Sequence, residues 1–111
     1  MREFNKLWSK VNEVIATARH EVIEIVEEIC DAITREVGSF LDELASRYGF
    51  TYVIKPRISD GDLGAIVPCL FVEAVPEVYE EVKRLIVTRY AELVSEARLA
   101  FELKPIKPEV E

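Results

Sequence analysis

Apolar residues recur at Phe4, Trp8, Val11, Ile15, Ala18, Val22, Ile25 and Ile29, in steps that alternate four and three. That spacing is a heptad seam and predicts an amphipathic helix. From Val22 a second rhythm runs through Val26, Ile29, Ile33, Val37, Phe40, Leu44 and Tyr48. Its repeat is eleven, which relaxes the winding towards straight. Together the two patterns predict one very long helix from Phe4 to Tyr48, or the same helix broken or kinked once near Gly38. Ile23, Cys30 and Leu41 widen the apolar side. Glu13, His20, Glu24, Glu27, Asp31 and Arg35 fall on the opposite face.

Unbroken, such a helix spans roughly 65 Å at its usual rise per residue. A compact domain of this size is only about 35 Å across. The stripe therefore outruns the rest of the chain, and a second copy is expected to cover it. Phe4, Trp8, Val11, Ile15 and Val22 are the candidate interface residues.

After Tyr48 the period changes. Gly49 is the expected left-handed residue that ends the helix. Residues 50–57 (FTYVIKPR) are aromatic and β-branched and predict a strand, with Pro56 closing it or placing it at an edge. Asp60-Gly61 marks a turn. Residues 65–74 (AIVPCLFVEA) predict a second strand, apolar on both faces. Pro68 removes a donor there, so one side must be unpaired or bulged. A lone hairpin is unstable in water, a second reason to expect that another chain completes the sheet. Pro76 suits a first helical position, and Val78, Val82, Leu85, Ile86, Tyr90, Leu93, Val94, Ala97 and Phe101 predict a helix to about Leu103. The expectation is a single α+β domain over residues 1–103: long helix, β-hairpin, shorter helix. Residues 104–111 are expected to be an extended, proline-containing tail.

Composition narrows the classes. The 111 residues carry a formal charge of −7. Residues 1–48 hold ten acids against six bases, and residues 76–103 six against four. No basic stripe suits nucleic acid. No run of ~20 apolar residues suits a membrane. The N-terminal MREFNKLWSK lacks the apolar core of a signal peptide, so a cytoplasmic protein is expected. Cys30 and Cys69 are too few for a disulfide framework and are expected to be buried thiols, with a pairing between them left open. Glutamine is absent and asparagine occurs only at Asn5 and Asn12. That depletion, with abundant Glu, Lys and Arg, is a thermophile signature.

Candidate chemistry is sparse. His20 with Glu24, Glu27 and Asp31 lacks the Glu-x-x-His spacing of di-metal bundles, because position 17 is Thr, and reads as a solvated acidic face. Asp60 and Asp62 lack the further ligands of a calcium loop. Glu73 is followed by Ala74 and Val75, without the lysine a nuclease hairpin needs. No catalytic, cofactor or metal residue is assigned. Lys55, Arg57, Asp60 and Asp62 cluster at a loop and are the candidate ligand residues.

The order of long helix, hairpin and shorter helix over residues 4–48 and 76–103 is similar to that of the prefoldin chaperone subunits, whose two helices form a coiled coil joined by hairpin strands. Here the two helices differ in length where those of prefoldin match. The first expectation is a non-enzymatic module that oligomerises, as a dimer first, in a structural or protein-interaction role. The alternative that the resemblance implies is a holdase sheltering apolar protein segments. The third is a small-ligand or metal site at residues 55–62.

Overall fold

A computed structural model of the chain describes residues 3–14, 19–58 and 66–106. The elements are α1 (Glu3–Val14), α2 (Arg19–Tyr48), β1 (Thr51–Arg57), β2 (Val67–Ala74), α3 (Pro76–Arg89), α4 (Ala91–Ala97) and β3 (Ala100–Pro105). This is an α+β fold with a long N-terminal helix, a hairpin and shorter C-terminal helices, as the hydrophobic pattern predicts. The hairpin gains a third strand from its own chain.

The predicted long helix breaks, but not at Gly38. Helix α2 runs unbroken through Gly38, and α1, ending at Val14, is a separate helix from α2, which begins at Arg19. Helix α1 then packs on α2. An ion pair of 3.5 Å between Glu3 and Arg35 shows that α1 runs back along it. The reason is burial. Folding back puts Phe4, Leu7, Trp8 and Val11 into the chain's own core. At about 1.5–3 kcal/mol for each large side chain, the gain outweighs the few helical hydrogen bonds lost. The length argument for a second copy goes with it: α2 alone is about 45 Å long, within a molecule 49 Å in its longest dimension.

At Gly38 an added Cβ would meet only Thr34 Cγ2, at 3.8 Å, an ordinary contact. Gly38→Ala is expected to stabilise the chain by about 0.5–1 kcal/mol, because glycine is a poor helix former. The readout is a raised urea midpoint. A lowered midpoint would mean that the helix kinks there in solution. Gly49, at φ 75°, does end α2, and both its N–H and that of Phe50 donate to Ala45 O, at 2.8 and 3.3 Å.

Strand order in the sheet is β1-β2-β3, with β1 and β2 antiparallel and β2 and β3 parallel. Pro56 lies opposite Pro68. Neither proline can donate, so theirs is a non-hydrogen-bonded pair, which removes no bond from the β1–β2 ladder. On its other side Pro68 precedes the first β2–β3 pair, Cys69 with Ala100, so no donor is missed there either.

The predicted second helix is shorter than its stripe suggests. It stops at Arg89, bends at Tyr90 (φ −121°, ψ 35°), and resumes as α4. Arg98 then takes the left-handed conformation at φ 57°, and Leu99 N–H donates back to Val94 O at 3.1 Å. This Schellman-type end turns the chain into β3. Residues 100–105, assigned to helix end and tail by pattern, are a strand instead. The element order similar to prefoldin ends here, since the hairpin no longer lies between two paired helices.

The helices cover one sheet face. Tyr52 of β1 donates its hydroxyl to Asp42 Oδ1 of α2 at 2.6 Å. Lys83 of α3 lies 5.9 Å from the Phe101 ring centroid. Tyr52, Val72, Leu70 and Phe101 share that face by register. The core lies between it and α2, α3 and α4, with Val26, Ile29, Ile33, Leu41, Leu70, Val82, Ile86 and Leu93 essentially solvent-free.

Candidate functional site

The opposite sheet face is the more exposed one among the described residues. Thr51, Val53, Lys55 and Arg57 of β1 share it with Val67, Phe71 and Glu73 of β2 and Ala100, Glu102 and Lys104 of β3, while Cys69, on the same face by register, is fully buried. In the middle of the edge strand Val53 is 48% exposed, beside the half-buried Phe71 that it pairs with. Around them the charges alternate in sign. Arg57 meets Glu102 at 3.8 Å and Lys104 meets Glu73 at 3.7 Å. Lys55 Nζ stands 5.2 Å from the Phe71 ring centroid. Thr51 Oγ1 donates to Glu73 Oε1 at 3.3 Å. These exposed pairs each contribute at most about 1 kcal/mol. They make a face that is mixed and self-paired, with an open concavity of about 280 Å³ between Val53, Lys55, Phe71, Glu73 and Lys104.

Lys55 and Arg57, expected beside a loop, are strand residues two apart on this face. Asp60 and Asp62 lie outside the described residues. Among the described residues Arg57 meets Glu102 and Lys55 lies over Phe71. Phe71, Glu73, Glu102 and Lys104 were missed because register brings them together across the sheet. The one sequence signal was the alternation Phe101-Glu102-Leu103-Lys104, a period of two inside an assigned helix.

Phe4, Trp8, Val11 and Val22, the candidate interface, are instead buried within the single chain, at 2, 7, 4 and 0% exposure. Ile15 lies outside the described residues. The guanidinium of Arg98 covers Trp8 at 4.5 Å from the ring centroid. These four side chains therefore offer little surface to a second chain.

Cys30 and Cys69 are free and buried. Burial, helped by the Asp31 carboxylate, pushes the Cys30 thiol up to about 12. Burial and then the Glu102 carboxylate push Cys69 to about 11, against the pull of Arg57. Both stay protonated at neutral pH, which is the wrong state for a nucleophile or metal ligand. His20, Glu24, Glu27 and Asp31 are all exposed positions of α2, and no group of three metal-binding side chains occurs among the described residues. A groove between α1 and α2 is lined by Glu3, Glu28 and Asp31 with Lys6, Lys10 and Arg35, balanced in charge and open to solvent. No helix among the described residues is long and apolar enough to cross a membrane.

No protein-family model, no curated protein and no solved structure matches this chain.

Proposed function

We propose that this chain is a non-enzymatic association module that joins protein chains through its sheet, in a structural role. The single observation behind this reading is Val53, nearly half exposed at the centre of β1, an edge strand among the described residues. Edge strands with an apolar centre invite pairing unless something blocks them. The inert thiols and the charge-balanced groove give no support to a catalytic reading. Helix α2, with eight acids against three bases, argues against nucleic acid and anionic lipid as partners. The holdase alternative needs an open apolar cleft between helices, and the apolar stripes of α1 and α2 are spent on each other and on the sheet.

Light scattering across a dilution series tests the proposal. The expected result is a dimer that dissociates on dilution. A monomer at every concentration overturns it.

A further inference from the structure

We propose that the occupant of the sheet edge is a second copy of this chain, added antiparallel through β1 with Val53 of one copy against Val53 of the other. This rests on the association reading above and names its contact.

The direction of the free backbone groups comes from the prolines. Pro56 and Pro68 form a non-hydrogen-bonded pair, so by alternation Tyr52↔Val72 and Ile54↔Leu70 are non-hydrogen-bonded too. The N–H and C=O groups of Tyr52 and Ile54 therefore point away from β2. Among the described residues no strand meets them. Pro56, on the same edge, offers a carbonyl but no N–H.

These three residues select one register. A two-fold axis through Ile54 sets Tyr52 of each copy against Pro56 of the other, and two donors are missing. An axis through Lys55 sets two ammonium groups face to face. An axis through Val53 pairs Tyr52 with Ile54 of the second copy, in both directions, and forms about four backbone hydrogen bonds. It keeps Pro56 out of the ladder. It also sets the two exposed valines side by side as a close, non-hydrogen-bonded pair on the open face.

Charge fits the same register. Lys55 of the second copy falls opposite Thr51, whose neighbour on β2 is Glu73. The short threonine leaves room for the lysine to reach that carboxylate, and no like charges stand opposite each other on the open face. On the helix side the edge is overlooked by Glu27, Asp31 and Asp42 of α2. Those acids repel across the seam, which fits a dimer that comes apart on dilution rather than an obligate one. The result is a continuous six-stranded sheet with a two-fold axis, a closed assembly that leaves β3 as its outer edge.

Cysteine cross-linking reads the register directly. Val53→Cys places two thiols within disulfide reach across the axis, while Lys55→Cys places its thiols on opposite sides of the seam, about four residues apart along the strands. The native Cys30 and Cys69 are buried and protonated, so they stay silent under mild oxidation. The full-length chain is used, with a thermal melt to confirm that each variant folds. Near-complete conversion of Val53→Cys to a covalent dimer, with little from Lys55→Cys, is the expected result. A wild-type dimer by mass whose Val53→Cys variant stays unlinked overturns this contact and leaves the association reading standing. A monomer by mass at every concentration overturns both.

Discussion

Phe4→Ala is expected to lower the unfolding free energy by about 3–5 kcal/mol, the usual cost of emptying a buried aromatic site, and to leave the solution mass unchanged. Phe4 is 2% exposed and is among the largest fully buried side chains of the chain. It sits near the start of α1, where Glu3 reaches Arg35 of α2, so it anchors the folded-back end of the helical pair. Total stabilities of small domains are about 5–15 kcal/mol, so this one truncation removes a large share. Urea denaturation followed by circular dichroism measures the first quantity and light scattering the second. The pairing of the two readouts matters. If Phe4 were an association anchor, as its place in a heptad seam suggests, the variant would lose mass on dilution while the monomer kept its stability. That outcome would mean that α1 does not fold back in solution.

Alkaline pH is expected to unfold the chain well before its surface charges demand it. Four thiol and phenol groups have raised values in the folded state, Tyr79 through burial among them. Cys30 rises from 9.0 to about 12 and Cys69 from 9.0 to about 11, both chiefly through burial. Tyr52 rises from 10.0 to about 12, through burial and then through its hydrogen bond to Asp42. In each case the folded state holds its proton more tightly than the unfolded one. The stabilising difference is therefore complete below pH 9. It is lost as pH rises through 9 to 12, because only the unfolded chain ionises there. The two thiols, the most buried of these groups, carry most of that loss. A thermal melt against pH shows the loss as a steep fall in Tm above pH 9. Cys30→Ala, which removes the largest shift, is expected to flatten that fall while lowering Tm modestly at pH 7. An alkaline limb equally steep in Cys30→Ala would mean that the thiol is not the group being titrated.

Local chemistry settled much of this fold before any contact was known. The rhythm of Val22, Val26, Ile29, Ile33, Val37 and Leu44 specifies the buried face of α2, and all six are buried. Gly49 at positive φ, the start of α3 at Pro76 and the two strands of the hairpin each follow from what one residue permits. Pro56 and Pro68 fall where a missing donor does no harm, one at a sheet edge and one ahead of the β3 ladder. The charged half of the candidate site, Lys55 and Arg57, was also visible, because charged residues on a strand that faces solvent alternate with apolar ones.

Three decisions belonged to the tertiary structure. Residues 15–18 contain no glycine or proline, and the heptad runs straight through them. Helices α1 and α2 are separate because Phe4, Trp8 and Val11 lose water when α1 folds onto α2, a gain that no local preference records. Gly38 stays helical because α2 is held along its length by β1 and by the Tyr52–Asp42 bond. Residues 100–105 become a strand because β2 has a free side, and a central strand pairs on both sides when chain is at hand. Parallel pairing joins residues about thirty positions apart, such as Cys69 with Ala100. A window a few residues wide cannot contain that partnership. The same holds for Glu102 and Lys104, whose ion partners Arg57 and Glu73 are brought to them by register and not by sequence distance.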